Sequence, residues 1–363
     1  MRLFTAALCT TVAAALLAGC SGSQVTPGTS GAGSTQSSSA HHGKYVPHWA
    51  FPASLVPVKF TAPHYQKVIM SLGHKGANSG GIYASEFEGS SIYGYSHKNT
   101  GNNPPSCTVS LGGTAYVNGL AVDGKGNLIV PEGSSPTSGS RQVNIFSGPG
   151  MCGSLAGIID DPYGQPSDAS SPDAVNGTIA VGNIFDNSGA GSISLCTLSS
   201  GTCSSNLTNA AMYEVAGVAM DNSGNCWASA TNSGGTATLT YFAGCTGSGQ
   251  QATGYLNTYY GGLDIDRNGN LVSIDSFASQ LYVYSGCNPA CTVVGGPYSM
   301  NGEAVFGHLN KQSMTFCAGD FENGTMDVYY YSPAALTYWY SFNNGLDTSY
   351  IPEGCAYNPR STQ

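Results

Sequence analysis

Charge is the scarcest commodity in this chain. Asp, Glu, Lys and Arg make up 9% of its 363 residues, against about 25% in an average soluble domain. Only 11 residues are Lys or Arg, against 20 Asp or Glu, for a net charge of −9. Phosphate backbones demand a basic face, so a nucleic-acid partner is excluded. Beyond residue 20 no run approaches the roughly 18 apolar residues of a membrane-spanning helix. Catalytic signatures are missing too. There is no G-x-S-x-G elbow, no P-loop, no H-E-x-x-H and no strand followed by G-x-G-x-x-G. A C-x2-C…C-x2-C zinc spacing is also absent. What is plentiful is turn and core material: 50 Gly, 18 Pro, 22 Tyr, 12 Phe and 3 Trp, within 41% hydrophobic content.

The N-terminus reads as an export signal. Arg2 is followed by an apolar run from Leu3 to Ala18 and the ending Leu16-Leu17-Ala18-Gly19-Cys20. A basic start, an apolar core and a small-residue end mark a secretory signal, too short to span a bilayer. The ending resembles the lipobox of bacterial lipoproteins. That resemblance implies that Cys20 is acylated, becomes the first residue of the mature chain and anchors it to a membrane. Asp after that Cys favours inner-membrane retention in Gram-negative lipoproteins. Ser21 stands there instead, which implies the outer membrane, on its periplasmic or surface face. Residues 21–43 are Gly, Ser and Thr rich and carry no charge, as a flexible tether does. The His41-His42 pair within it is incidental. The expected layout is a signal at 1–19, lipidated Cys20 with tether and lead-in to 64, and a folded domain at 65–363.

Twelve cysteines support export. Cys9 leaves with the signal and Cys20 carries lipid. The remaining ten are an even number in an exported chain, which points to five disulfides. Cys196 with Cys203 and Cys287 with Cys291 are close enough in sequence to staple tight loops. Cys226 with Cys245 comes next, and Cys107 with Cys152 and Cys317 with Cys355 are left by elimination.

Self-similarity is the most informative feature. Asn118–Val130, Ala216–Ala228 and Gly261–Ser273 all read G-[LV]-x-[VMI]-D-x-x-G-N-x. Weaker copies begin at Pro166-Ser167-Asp168, Asn301-Gly302 and Pro352-Glu353-Gly354. Aligned on the Gly position they fall at 119, 168, 217, 262, 302 and 354, a mean step of 47 residues. Alternation before the Asp fits a half-buried strand. Asp-x-x-Gly-Asn is a tight turn, since Asp bonds its own backbone and Gly supplies positive φ. One carboxylate per turn is too few for a calcium loop. Further strands at Gln142–Phe146, Ala237–Phe242 and Gln280–Tyr284 make four per repeat, the period of a propeller blade. Gly81–Ser85, Ser91–Ser96 and Thr108–Gly112 lack a first strand, while Pro352–Tyr357 has nothing after it. The expectation is an all-β, six-bladed propeller of four-stranded blades whose ring is closed by the C-terminal strand.

These repeats resemble NHL-type repeats and the six-bladed gluconolactonase-like (senescence-marker-like) propellers. In that family one divalent metal sits at a channel mouth, held by a Glu, two Asn and an Asp, and assists lactone hydrolysis. The resemblance implies Glu353, Asn118, Asn301 and Asp168 as the corresponding metal or channel-mouth residues here, with Ca²⁺ or another divalent ion as cofactor. The family's Asp-Gly motif has no match, because Ala216-Gly217 and Gly261-Gly262 stand in its place. His97 and His308 are isolated in sequence, so a lyase with a His base lacks support. The aromatic stretch Asp327–Phe342 reads as two outer strands with one buried face, or as a sugar-stacking platform. The sequence therefore favours a monomeric, non-enzymatic envelope lipoprotein that binds a protein, peptide or glycan. A metal-dependent lactonase or hydrolase is the alternative.

Overall fold

The computed structural model describes residues 81–87, 89–96, 101–111, 117–133, 141–148, 150–172, 177–347 and 349–358. The signal, Cys20, the tether, His41-His42 and His97 lie outside them. The described chain is all strand, turn and loop apart from one 3-10 turn at Ala243–Cys245. Among the described residues no helix is long and apolar enough to cross a membrane.

The strands are β1 (Gly81–Phe87), β2 (Ser91–Ser96), β3 (Cys107–Ser110), β4 (Ala121–Val122), β5 (Leu128–Gly133), β6 (Arg141–Phe146), β7 (Leu155–Asp160) and β8 (Gly164–Ser170). They continue with β9 (Thr178–Asp186), β10 (Ser192–Thr197), β11 (Thr202–Thr208), β12 (Glu214–Met220), β13 (Cys226–Thr231), β14 (Ala237–Phe242), β15 (Gln250–Gln251) and β16 (Leu263–Ile265). The last are β17 (Leu271–Asp275), β18 (Gln280–Ser285), β19 (Thr292–Ser299), β20 (Gly307–Leu309), β21 (Thr315–Asp320), β22 (Thr325–Ser332), β23 (Ala335–Phe342) and β24 (Ile351–Tyr357).

Four sheets have four strands each: β24-β1-β2-β3, β12 to β15, β16 to β19, and β20 to β23. A fifth has eight, in the order β4-β5-β6-β7-β11-β10-β9-β8. The arrangement is propeller-like. It departs from the expected six separate blades, because only four four-stranded sheets stand alone. The physical reason is one contact between outer strands, where Thr202 of β11 pairs in parallel with Asp160 of β7. The first strands touch their neighbours in a closed circuit: β4, β8, β12, β16, β20, β24 and back to β4.

Sheets packed face to face leave little of an inner strand exposed. Every residue of β5, β12, β13 and β21 is buried. Between β9–β10 and the next sheet lies a cluster of Ile193, Leu207, Val218, Met220 and Phe242. Equivalent clusters fill the other gaps, such as Tyr83, Leu120, Leu128 and Val130 between β1 and β5.

The Asp-x-x-Gly-Asn segments are turns. Asp123 Oδ1 accepts the N–H groups of Lys125 and Asn127, while Asp221 and Asp266 repeat the pattern. Gly126, Gly224 and Gly269 have φ of 85°, 81° and 81°, the left-handed region that favours Gly. All five disulfides are formed: Cys107–Cys152, Cys196–Cys203, Cys226–Cys245, Cys287–Cys291 and Cys317–Cys355. They fit a protein of an oxidising compartment outside the cytoplasm.

One repeat was misplaced by the sequence. Asn301-Gly302 does not begin a first strand; β20 begins at Gly307, with Val305-Phe306 immediately before it, four residues later than expected. Asn310 replaces the turn Asp, and its Oδ1 accepts the Met314 N–H at 2.9 Å. Ser313 replaces the turn Gly, with φ of 51°. Both signature residues of the turn are changed, so the pattern was matched to the wrong Gly.

Candidate functional site

The innermost backbones approach closely at the Gly position of the repeat and the residue before it. The Gly119 N–H donates to Ser167 O at 2.7 Å, and Gly262 N–H to Val305 O at 2.6 Å. Ser167 Oγ lies 3.2 Å from both the Val215 and Ala216 carbonyls. Gly354 N–H donates to Ser85 Oγ at 3.0 Å. A Cβ on Gly354 would sit 2.1 Å from Asn118 O, and one on Gly217 would sit 2.4 Å from Gly261 O. Gly is therefore required at these two places by contact, whatever its φ.

Three of the four metal candidates lie on this circuit. Asn118, Asp168 and Glu353 are all buried. Asn301 is exposed and elsewhere: its N–H donates to Tyr329 Oη at 2.9 Å, and its side chain bonds to Asp327. The residues present do not fit a divalent cation. Asp168 Oδ2 accepts the Val218 N–H at 3.0 Å, and Oδ1 faces His308 Nε2 at 3.8 Å. A cation on Asp168 would be set against an imidazolium. Among the described residues, Asp161, Cys196 and Cys203 also converge, but both sulfurs are spent in a disulfide.

The structure instead gathers a charge cluster that sequence spacing hid. His308 is central in β20 and Asp264 is central in β16. At the same position β4 has Ala121, β12 has Ala219 and β24 has Ala356. Thus two neighbouring inner strands place charge where β4, β12 and β24 place a methyl group and β8 places Ser170. His308 Nδ1 lies 3.3 Å from Asp264 Oδ2, whose other donor is the Leu309 N–H at 2.7 Å. His308 Nε2 faces Asp168, which occupies the Gly position of β8. The hydrogen bonds and charge of Asp168 and Asp264 outweigh the desolvation that opposes protonation, and hold His308 up to about 10. Asp168 is pushed upward by burial, against the pull of His308. A His held protonated at neutral pH is no general base. Asp264 was legible only as an anomaly, being the variable residue of the repeat motif that is Ala in two copies and Asp in the third.

His308 and Asp264 line a cavity of about 400 Å³ at the end of the sheets that carries the Asp-x-x-Gly-Asn turns. None of the four metal candidates lines it.

The opposite end carries aromatics. Phe277, in the turn between β17 and β18, is 76% exposed. Tyr259 is 6.5 Å from it and stacks on Tyr260 at 4.4 Å. Tyr213 is exposed and packs edge-on against Phe185. Glu86 on the same end is raised to about 7 by burial. Glu303 is raised to about 7 by burial and by the nearby Glu322 and Asp320. In the aromatic stretch, Tyr329 and Tyr331 are buried while Tyr330 and Tyr338 are exposed. Tyr330 stacks on Trp339 at 4.5 Å. Alternation thus leaves a small aromatic face on the outer strands beside a packed one.

No known protein family matches the chain, and no curated protein matches it. Likeness is found among solved structures. A chain from the crystal structure of a nidogen/laminin complex superimposes with a TM-score of 0.55 at 12% identity, covering 77% of this chain and 98% of that one. A functionally unknown protein from Desulfotomaculum acetoxidans DSM 771 gives a TM-score of 0.49 at 13% identity, covering 74% and 81%. At 12% identity the likeness to the nidogen/laminin chain is one of fold alone.

Proposed function

We propose that this chain is an exported lipoprotein whose propeller works by binding a protein segment rather than by catalysis. The observation that carries this reading is the exposed Phe277 with Tyr259 and Tyr213 on one end of the sheets, beside Glu86 and Glu303. Large rings immobilised by their neighbours lose little entropy on contact, which is why aromatics dominate binding hot spots. Glu303, only partly buried beside the rings, favours a neutral or basic partner segment. The six-bladed reading is supported by the six first strands of the inner circuit and takes the eight-stranded sheet as two four-stranded units joined at one outer contact. Likeness to NHL-type and gluconolactonase-like propellers rests on the repeat motif. Anchoring through Cys20 and placement at the outer membrane rest on the lipobox and Ser21.

Phe277→Ala tests the reading. Against arrays of envelope peptides and of glycans, we expect peptide hits that weaken at least tenfold in the variant, with an unchanged Tm. A profile confined to glycans, or one indifferent to Phe277, would sink the proposal.

A metal-dependent lactonase needs Glu353, Asn118, Asn301 and Asp168 on one ion. Asn301 is elsewhere and Asp168 is engaged by His308. We therefore expect Ca²⁺ and chelator to leave the Tm within about 1 °C. A metal stabiliser at 100 times its Kd adds about 2.7 kcal/mol, so a rise of several degrees would restore the lactonase reading.

A further inference from the structure

The aromatic face of the outer strands has no role in the binding reading, and it lies toward the other end of the sheets from Phe277. Tyr330 pairs with Thr315, the first residue of β21 after the β20–β21 turn. It therefore sits at the turn-bearing end. Tyr330 is 48% exposed and stacks on Trp339 at 4.5 Å, with 23° between the ring planes. Tyr340 meets Trp339 edge-on at 4.9 Å. On β22 and β23 the one charged residue is Asp327, which is fully buried. These strands thus present a fixed aromatic platform without charge.

The chain enters the described domain beside this platform. Gly81 O accepts the Asn358 N–H at 2.9 Å, and Ile82 pairs with Tyr357. Ile82, Tyr357, Trp339 and Tyr340 all belong to one apolar packing cluster. Upstream, outside the described residues, the sequence from 44 to 75 is unlike the tether before it. It carries Tyr45, Trp49, Phe51, Phe60 and Tyr65, with Pro47, Pro52, Pro57 and Pro63 spaced among them. Rings in such number gain from leaving water. Pro at that spacing favours an extended, polyproline-type backbone. Pro-rich extended segments dock on aromatic-lined surfaces at a low entropy cost. Charge points the same way. All 20 Asp and Glu lie at Glu86 or beyond it, whereas residues 44–75 hold Lys44, Lys59, Lys67 and Lys75 and no acid. The segment is drawn to the domain as a whole. Its attachment at Gly81 gives it a high effective concentration at the face beside its own point of entry.

We propose that Tyr330 and Trp339 are the docking surface for this chain's own Pro-rich segment, residues 44–65, which folds back onto β22 and β23. The contact leaves the opposite end, with Phe277, open to a partner.

Photo-cross-linking in the full-length chain tests this. A benzophenone-bearing side chain in place of Tyr330 should form an intramolecular adduct with peptides from residues 44–67, at a yield independent of protein concentration. The same group in place of Phe277 should not reach them. Trp49→Ser combined with Phe51→Ser should lower the adduct at position 330 at least fivefold. Trypsin gives a second readout that needs no probe. Cleavage after Lys59 should be at least tenfold slower in wild type than in Tyr330→Ser, a change at a half-exposed side chain that leaves the core in place. An adduct confined to other parts of the chain overturns the proposal, and so does equal cleavage of the two proteins. A yield that rises with concentration also overturns it, because the occupant would then be a second copy. Phe277→Ala leaves this contact intact, so failure here is separable from failure of the binding reading.

Discussion

Removing residues 349–363 should abolish cooperative folding, leaving a chain that aggregates on gel filtration and shows no sigmoidal melt by circular dichroism. The deleted segment contains β24, which supplies the first strand of a sheet whose other three come from the opposite end of the chain. Ile82, Tyr83 and Ala84 pair with Tyr357, Ala356 and Cys355. Without them β1 becomes an open edge, a template for pairing with other chains. The loss is wider than one sheet. Glu353-Gly354 closes the inner circuit between β20 and β4, and Cys355 holds Cys317 of β21. Buried Ile351, Cys355 and Ala356 leave the core together. A disulfide closing a loop of this size contributes ~4 kcal/mol in the loop-entropy picture. A whole domain is stable by about 5–15 kcal/mol, so strand, staple and core lost together exceed the margin. Cys317→Ala with Cys355→Ala separates the terms. That variant keeps β24 and should stay folded and monomeric, with a Tm lower by roughly 5–15 °C. A truncated chain that is monomeric and melts within a few degrees of the intact protein would refute closure by β24.

Much of this was legible because propeller blades are local. Each first strand meets its turn and second strand within some fifteen residues, so Gly-Leu-Ala-Val-Asp followed by Gly-Asn declares a hairpin without any long-range knowledge. The disulfides followed from order along the chain for the same reason: Cys196 and Cys203 flank one hairpin. The C-terminal pairing was readable from a missing strand at one end and a surplus one at the other. Three things were hidden. The joining of two units into one sheet depends on a single outer contact, Thr202 with Asp160, which no periodicity announces. The fifth repeat was misframed because Asn310 and Ser313 reproduce the turn with different chemistry: an Asn carbonyl in place of a carboxylate, and a Ser at positive φ. The cluster of Asp168, Asp264 and His308 draws on three strands whose members lie some forty to a hundred and forty residues apart. Asp168 reads as a metal candidate and His308 as an isolated residue, with nothing in the spacing to join them, and only closure of the inner circuit turns them toward one another.

His308→Gln should cost on the order of 3–5 kcal/mol in urea unfolding, the range for breaking a buried ion pair by removing one partner. Gln keeps much of the volume and some hydrogen bonding, but it leaves Asp168 without its cation. Asp168 is fully buried and its Oδ1 faces the imidazole Nε2 at 3.8 Å. The second substitution therefore decides the cause. Asp168→Asn in the His308→Gln background should recover ~1–3 kcal/mol, because the stranded charge is gone. A structural cavity alone would make the two changes additive. The pH dependence has a definite sign. His308 is raised in the folded protein to about 10, from about 6.5 when unfolded. A raised pKa means the native state binds the extra proton, so the contribution is complete below pH 6.5 and disappears as pH rises towards 10. Wild type should accordingly lose more stability between pH 7 and pH 9.5 than His308→Gln does. The buried tyrosines do not interfere in that interval, since Tyr93, Tyr255 and Tyr340 are raised to about 12. If His308→Gln unfolds within about 0.5 kcal/mol of wild type, or if both proteins lose stability in parallel from pH 7 to 9.5, the imidazolium is not what ties β8, β16 and β20 together. If the difference opens as expected, the charge that joins these strands is also what denies His308 the role of a base.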